Sequence, residues 1–206
     1  MFKTILILVL AAAVIGGAIG GWHLWRVAQR NQAEMAPFQA QPVAYTGHLG
    51  KVLVIYYSWT GHTQDIAQRI AQRTGADVFR LQTQEPLSKA PWIYLTLKRQ
   101  LSTQKYPALQ HPLPDVSGYD VVFVGSPVWW YTAATPILQF LQEMDFKGKK
   151  VVPFSTQGSN YGTFFKDFSA RAQNAQLLQG ASFNNLPPKY DSAVDSKINA
   201  WLNALP

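Results

Sequence analysis

From residue 51 onward, short apolar runs alternate with segments of helical periodicity, and this alternation restricts the possible fold. The runs are rich in Val, Ile, Phe and Tyr and are short enough to be strands. Alternating strands and helices predict a parallel sheet with helices on both faces, that is, an α/β domain. The predicted strands are 51–57, 77–81, 120–125, 150–155 and 177–183. The predicted helices are 63–73, 91–101, 136–144, 162–172 and 192–205.

Five strands in this pattern predict a doubly wound sheet of order 2-1-3-4-5. Ligands of such sheets bind at the carboxyl ends of the strands, near the point where the strand order reverses. That point lies between the first and third strands. The loops that follow residues 57, 125 and 155 are therefore the expected binding segments.

The first of these loops, residues 58–63, has the composition of an anion-binding loop. It carries hydroxyls at Ser58, Thr60 and Thr63, and Gly61 allows a tight turn before the helix. Backbone N–H groups at the start of a helix bind anions, and the helix dipole assists them. The loop contains no Lys or Arg, so it resembles neither a Walker A loop nor a metal–phosphate site. We expect it to bind one phosphate group; ordinary helix capping is the alternative.

The other two loops have compositions suited to a planar ring. Three aromatic side chains in a row, Trp129, Trp130 and Tyr131, follow the third strand. Such rings stack on flat ligands, although packing against the next helix is the alternative. The loop at 155–162 is polar and glycine-rich and carries Tyr161, so its backbone N–H groups could face a ring edge. A plain β–α turn is the alternative there.

Together these segments resemble the flavodoxin family, in particular its short-chain FMN-binding branch. The similar segments are, in order, KVLVIYYSWTGHT, YDVVFVGSPVWWYTAATPI and GKKVVPFSTQGSNYG, and the resemblance covers residues 51–205. It implies a non-covalent FMN cofactor. Residues that would hold the phosphate are Ser58, Trp59, Thr60, Gly61, His62 and Thr63, with His62 at a position that is often Asn in the family. Residues that would line one side of the ring are Pro127, Val128, Trp129, Trp130 and Tyr131, and those on the other side are Thr156, Gln157, Gly158, Tyr161 and Gly162.

The resemblance implies an FMN-dependent oxidoreductase. It would pass electrons from a reduced nicotinamide or protein donor to a quinone-like or protein acceptor. Flavodoxins that act as carriers are typically acidic, whereas this chain has a net charge of +7, which favours a reductase over a mobile carrier. A membrane-anchored one-electron carrier and a flavin-free scaffold are the alternatives. We expect no catalytic acid or base, because the flavin supplies the redox chemistry.

Several other classes of site are excluded by composition and spacing. The chain has no Cys, which rules out disulfides, thiolate nucleophiles and Cys-type metal sites. Its four His make no metal-ligand spacing, and its basic residues are scattered, so neither a metal site nor nucleic-acid binding is expected. Trp92 and Tyr94 fall in a predicted helix, where they are expected in the core or, alternatively, as a roof over the site.

The amino-terminal segment predicts a membrane anchor. Residues 4–25 contain no Asp, Glu, Lys or Arg and, as a helix, would span about 33 Å. We expect a transmembrane segment at 1–26, a linker at 27–50 and the flavodoxin-like domain at 51–206; a cleaved signal peptide is the alternative. The positive-inside rule gives almost a tie, and the supply of FMN favours a cytoplasmic domain. Two overlapping GxxxG spacings, Gly16–Gly20 and Gly17–Gly21, are compatible with a homodimer.

Overall fold

The computed structural model describes residues 2–88 and 92–206. The predicted start of the third helix at Pro91 lies outside the described residues. The helices are α1 Phe2–Ala40, α2 His62–Thr74, α3 Ile93–Thr103, α4 Thr135–Glu143, α5 Phe164–Ser169 and α6 Asp191–Asn203, with a 3₁₀ turn at Pro188–Tyr190. The strands are β1 Val52–Tyr56, β2 Asp77–Arg80, β3 Val121–Trp129, β4 Thr132–Ala133, β5 Lys150–Gln157, β6 Gln176–Leu177 and β7 Ala181–Asn184.

The sheet confirms the predicted α/β class and the order of its parallel strands. The order is β2-β1-β3-β5-β6, with β4 antiparallel to β3 and β7 parallel to β5. The sheet has seven strands in the described part of the chain rather than the five predicted. One extra strand arises because β3 continues past Gly125 and folds back as β4. The other arises because the predicted strand 177–183 is interrupted around Gly180, where a Cβ would lie 2.5 Å from the Pro153 carbonyl oxygen.

Strand alternation places a separate core on each face of the sheet. In β1, Val52 and Val54 pack on the face covered by α1, α2 and α6, whereas Leu53 and Ile55 pack on the face covered by α3, α4 and α5. All five residues of this strand are buried, because it lies between β2 and β3. A central parallel strand of this kind reads as a continuous apolar run. The two cores hold the carboxyl ends of β1, β3 and β5 at one edge.

Helix α1 extends well beyond the apolar segment and contacts the domain. Its last turns pack against α6, and Met35 is 2% exposed within the core beneath that face. Glu34 forms an ion pair with Lys197 of α6. Residues expected to form a linker are therefore helical up to Ala40. The proposed domain boundary at residue 50 stays a prediction.

The prediction of a single-pass membrane protein anchored by residues 4–25 is wrong. A crossing helix needs about 20 consecutive apolar residues. Among the helices formed by residues 2–88 and 92–206, none combines the required length with the required apolarity. Helix α1 instead runs without interruption into a segment containing Arg26, Arg30 and Glu34. The membrane localisation, and the side of the membrane inferred with it, lose their basis; self-association through the GxxxG glycines stays a prediction.

Candidate functional site

Three loops meet at the carboxyl edge of the sheet, as the predicted topology requires. They comprise residues 57–63 after β1, residues 126–132 at the end of β3 and its turn into β4, and residues 156–163 at the end of β5 and beyond. Strand β1 pairs with β3 from Val52 to Tyr56, and β3 pairs with β5 as far as Pro127 and Thr156. These pairings bring the three segments together although they are far apart in sequence.

The loop at 58–63 ends in a helix start that has no side-chain cap. Gly61 adopts φ 100°, a conformation that favours glycine, and its N–H donates to the Ser58 hydroxyl oxygen over 3.2 Å. The first helical bond runs from the Asp65 N–H to the Gly61 carbonyl over 2.9 Å. The N–H groups of the first turn of α2 therefore have no acceptor within the helix. The predicted alternative, capping by Thr60 or Thr63, does not occur.

The side chains of the loop divide into buried and exposed groups. Ser58 and Thr63 are buried, whereas Thr60 and His62 lie at the surface. The Thr63 and Thr156 hydroxyls share a hydrogen bond of 2.8 Å between Oγ1 atoms, so the first and third loops are tied together. Both residues were predicted to contact the cofactor, and their contact with each other is a feature that only the folded chain shows.

Arg80 brings a positive charge to this loop, and sequence reasoning missed it. Its guanidinium donates to the Ser58 carbonyl oxygen over 3.3 Å and lies 3.5 Å from Gln64 Oε1. Arg80 is the last residue of β2 and pairs with Tyr56 at the end of β1. The predicted order 2-1-3 places the ends of these two strands side by side, so the strand order could have identified Arg80 as a neighbour of the loop.

The aromatic loop is a β-hairpin with a two-residue turn, and the turn has a conformation that large residues rarely adopt. Trp129 of β3 pairs with Thr132 of β4, and the two residues between them, Trp130 and Tyr131, have φ of 49° and 66°. Positive φ at both central positions defines a type I′ turn, which normally carries Asn or Gly. Such residues cost about 1–3 kcal/mol each and concentrate at functional sites.

Helix α5 and the two residues before it hold this hairpin in place. The Thr163 N–H donates to the Tyr131 carbonyl over 2.7 Å, and the Thr132 hydroxyl donates to Asp167 Oδ2 over 2.6 Å. Gly162 packs so closely that a Cβ would lie 2.3 Å from the Tyr131 carbonyl oxygen. Gly162 thus supports the hairpin, whether or not it also contacts a ring as the resemblance implies.

Trp129 forms the inner wall and the two turn residues form the outer wall. Its ring meets those of Tyr57 and Trp59 edge-on, at centroid distances of 5.7 and 5.9 Å. Trp130 and Tyr131 are 49% and 62% exposed. The alternative of packing against the core therefore explains part of the Trp129 side chain and neither of the other two rings. The other two rings are left facing outward at the edge of a cavity.

That cavity has a volume of about 460 Å³, within the range of small-molecule sites. Seven predicted site residues line it: Trp59, Val128, Trp129, Trp130, Tyr131, Gln157 and Gly158. Three lining residues were not predicted, Ser159 and Asn160 in the third loop and Leu97 in α3, and a fourth, Tyr94 of α3, takes the position given as the alternative to core packing. Tyr94 is 58% exposed, so it forms a roof and not part of the core.

Other predicted residues take positions outside the cavity wall. Tyr161 packs edge-on against Phe165 at 5.1 Å. The Pro127 carbonyl accepts hydrogen bonds from the Ala134 N–H and the Ser126 hydroxyl. The hydroxyl of Thr156 is engaged with Thr63. Contact of Pro127, Thr156, Tyr161 and Gly162 with a flavin ring stays a prediction.

Trp59 carries an orphaned donor beside the cavity. Its Nε1 atom is buried and has no hydrogen-bond partner in the part of the chain that the structure describes. Buried donors are nearly always paired, so an unpaired one next to a cavity fits a ligand that offers an acceptor. The donor, the aromatic walls and the uncapped helix start suit a planar, phosphorylated ligand such as FMN.

Tyr57 lies beneath the aromatic wall, at the end of β1. Burial raises the pKa of Tyr57 to about 12, and the charge of Arg80 partly opposes that rise. Its phenol stays neutral well into the alkaline range, so Trp129 packs against an uncharged ring.

The fold and site define an α/β protein of the doubly wound type with a ligand cavity at the strand order reversal. A family model for flavodoxin matches residues 51–205, and the chain therefore belongs to the flavodoxin family.

Solved structures show the same architecture. A flavoprotein from Lactobacillus acidophilus NCFM, solved in complex with FMN, is 25% identical, with a TM-score of 0.60 over 65% of this chain and 93% of its own. A protein from Bacteroides uniformis ATCC 8492 assigned to the flavoproteins is 26% identical, with a TM-score of 0.64 over 74% and 97% of the two chains.

Among curated proteins, Flavodoxin 1 of Salmonella typhimurium is 27% identical over 119 residues. The match covers 55% of this chain and 54% of that flavodoxin. The chain thus spans about half the length of this relative.

Proposed function

We propose that this protein binds FMN non-covalently and uses it to pass electrons from a reduced nicotinamide or protein donor to a quinone-like or protein acceptor. The observation that carries the proposal is the aromatic cavity beside an uncapped helix start, at the strand order reversal. Membership of the flavodoxin family, and a 25% identical neighbour solved with FMN, support the same cofactor.

The phosphate would be bound by the loop at 58–63. The free N–H groups of the first turn of α2 supply donors, and the helix dipole favours a negative charge there. Arg80 adds a cation from the neighbouring strand without entering the loop. The buried Thr63–Thr156 hydrogen bond holds the loop to β5 and so fixes the distance between the phosphate site and the cavity.

The flavin ring would lie between the aromatic walls. Trp59, Trp129 and Tyr131 present flat apolar surfaces, and the unpaired Trp59 Nε1 group would donate a hydrogen bond to the ligand. The third loop supplies Gly158, whose missing side chain lets the backbone approach a ligand. When bound, FMN supplies the redox chemistry, and the protein binds, orients and shields it.

The roof formed by α3 favours a reductase with a small acceptor. Tyr94 and Leu97 line the cavity together with the hairpin, so an acceptor would enter a pocket bounded on more than one side. A planar quinone suits that shape because α3 and the hairpin offer apolar and aromatic surface, while the third loop adds the polar side chains of Gln157 and Asn160.

A one-electron carrier is a second candidate, favoured by the exposure of Trp130 and Tyr131. Exposed aromatic residues at the rim of a cofactor site would allow a protein partner to dock directly over it. Stopped-flow oxidation of NADH or NADPH, with and without a quinone, separates the two. Rapid turnover supports the reductase; its absence, together with a stable semiquinone, supports the carrier.

Titration of the purified chain with FMN tests the cofactor itself. We expect quenching of flavin fluorescence on binding, and a dissociation constant at least about tenfold lower for FMN than for riboflavin, since only FMN engages the loop at 58–63. Equal affinity for both ligands would contradict the phosphate site. Failure to bind either would overturn the proposal in favour of a flavin-free scaffold.

A further inference from the structure

Gln157, which lines the cavity, is held at both ends of its side-chain amide. Its Oε1 atom accepts from the Ser155 hydroxyl over 2.9 Å, and its Nε2 atom donates to Asn184 Oδ1 over 3.1 Å. Gln157 and Ser155 are 6% and 0% exposed, so the bond between them is shielded from water, whereas the bond to Asn184 is only partly buried. The amide is therefore locked, and what Gln157 presents to the cavity depends on the position of Asn184.

Asn184 in turn is bonded to helix α1. Its Nδ2 group donates to Asn31 Oδ1 over 2.7 Å and lies 3.4 Å from Glu34 Oε2. Both partners are more than 145 positions away in sequence. The amide of Asn184 thus faces two ways, with its oxygen towards the cavity loop and its nitrogen towards α1.

Helix α1 is itself fixed at this point. Lys197 of α6 is paired with Glu34 and also donates to the Ser182 carbonyl over 2.6 Å. Met35, the next residue of α1, is buried in the core. We call the chain of bonds from α1 through Asn184 to Gln157 the relay. Its end in α1 is held by the ion pair of Glu34 and by the apolar contacts of Met35.

We propose that Asn184, held by Asn31 and Glu34 of α1, is a positioning residue for Gln157, and that α1 thereby sets the affinity of the cavity for FMN. The inference rests on the proposed FMN site. It gives the last turns of α1 a role in the cofactor site although they lie outside the cavity. Loss of the relay leaves Gln157 Nε2 poorly held, although Oε1 keeps its bond to Ser155, so part of the third loop must be ordered when the ligand binds, at a cost to affinity.

The test compares the full-length chain with Asn31→Ala, Glu34→Gln and Asn184→Ala. Asn203→Ala is the matched control. Its side chain also ties residues near α1 to α6, through the Ala44 carbonyl and the Thr46 N–H, but it has no bond to the relay. We expect Asn31→Ala and Asn184→Ala each to raise the FMN dissociation constant about fivefold, the effect of losing about one hydrogen bond. Glu34→Gln is expected to have a smaller effect, and Asn203→Ala less than a twofold effect.

Two results would overturn the inference. One is an FMN affinity within twofold of wild type for both Asn31→Ala and Asn184→Ala. The other is an equal loss for Asn203→Ala, which would mean that any weakening of α1 docking suffices. The double variant Asn31→Ala/Asn184→Ala should be no weaker than the worse single variant, because both break the same chain of bonds.

A measurement on the apoprotein separates this inference from the cofactor assignment. The side-chain amide protons of Gln157, followed by NMR, should exchange faster with solvent in Asn31→Ala than in wild type or Asn203→Ala. Faster exchange without FMN binding in any variant would support the relay and refute the cofactor. Unchanged exchange would refute the relay, whether or not FMN binds.

Discussion

At the level of single residues, Arg80 and Tyr57 set the electrostatics of the candidate site. Arg80 brings a cation to a loop that contains none, by donating to the Ser58 carbonyl from the adjacent strand. Tyr57, under the aromatic wall, is a neutral phenol, and burial extends its neutral range by raising its pKa to about 12. The site is therefore positive at the phosphate end and uncharged at Tyr57 near the ring end.

Replacing Arg80 should weaken FMN more than riboflavin. We expect Arg80→Ala to raise the FMN dissociation constant about three- to tenfold, because both a charge and a hydrogen bond to the loop are lost. The loss should shrink as the salt concentration rises, since Arg80 is exposed and its charge is screened. Fluorescence titrations at low and high salt measure both effects. Lys105→Ala, which removes an exposed charge after α3, is the control, and an equal loss there would contradict a local role for Arg80.

Tyr57 should make stability depend on alkaline pH. Its pKa is about 12 in the folded chain, against about 10 in an unfolded one. The neutral form is thus favoured on folding, so the stability it contributes is complete below about pH 10 and is lost as the pH rises through about 12. In urea titrations, the free energy of unfolding should fall over this interval in wild type and fall less in Tyr57→Phe. Tyr94→Phe, at an exposed position, is the matched control; identical pH profiles for wild type and Tyr57→Phe would refute the assignment.

At the level of elements, the hairpin between β3 and β4 is where the chain departs most from ordinary turn chemistry. Two large aromatic residues occupy the positive-φ positions of a type I′ turn. Strain of this kind persists only where the surroundings impose it. Here Gly162 and the Thr163 N–H of the neighbouring loop hold the turn. The strain keeps two rings exposed at the rim of the cavity.

Replacing these residues by the usual turn residues should trade binding for stability. The double variant Trp130→Asn/Tyr131→Gly should raise the free energy of unfolding by about 2 kcal/mol or more, at least about 1 kcal/mol for each position, because Asn and Gly adopt positive φ readily. The same variant should raise the FMN dissociation constant about fivefold or more through the loss of two aromatic walls. Urea denaturation and flavin titration provide the two readouts. Trp130→Phe/Tyr131→Phe keeps both the rings and the strain and should change neither; a double variant that is less stable than wild type would contradict the strain argument.

At the level of the whole molecule, α1 and the sheet form one structure. The helix contributes Met35 to the core beneath α6 and reaches the edge of the sheet through Asn184. The three loops of the site are held from both faces, with α2 and α6 on one side and α3, α4 and α5 on the other.

Truncation of Met35 should therefore destabilise the entire domain. We expect Met35→Ala to lower the free energy of unfolding by about 2–4 kcal/mol, from lost apolar contact and the cavity left behind. A single cooperative transition should be retained, because α1 packs into the same core as α2 and α6. Gln32→Ala, at an exposed position of the same helix, is the control. A change below about 0.5 kcal/mol for Met35→Ala would show that α1 does not share the core in solution.

The sequence alone determined the layered α/β fold, the order of the parallel strands and the three loops that form the site. These are local properties, because the periodicity of an apolar run and the chemistry of a loop can be recognised in each segment without knowing its neighbours in space. The run at 121–124 predicts a buried strand wherever its neighbours lie, and the hydroxyls and glycine of 58–63 suit an anion in any chain that places a helix after them.

Only the tertiary structure decided how these segments act on one another. The approach of Arg80 to Ser58, the Thr63–Thr156 bond and the roof at Tyr94 all join residues from different elements, and no local pattern encodes such contacts. The docking of α1 belongs to the same group, since its contacts with α6 and Asn184 exist only once the sheet has formed. The prediction of a membrane anchor is wrong for a different reason, because no helix in the described residues combines the length and apolarity of a membrane span.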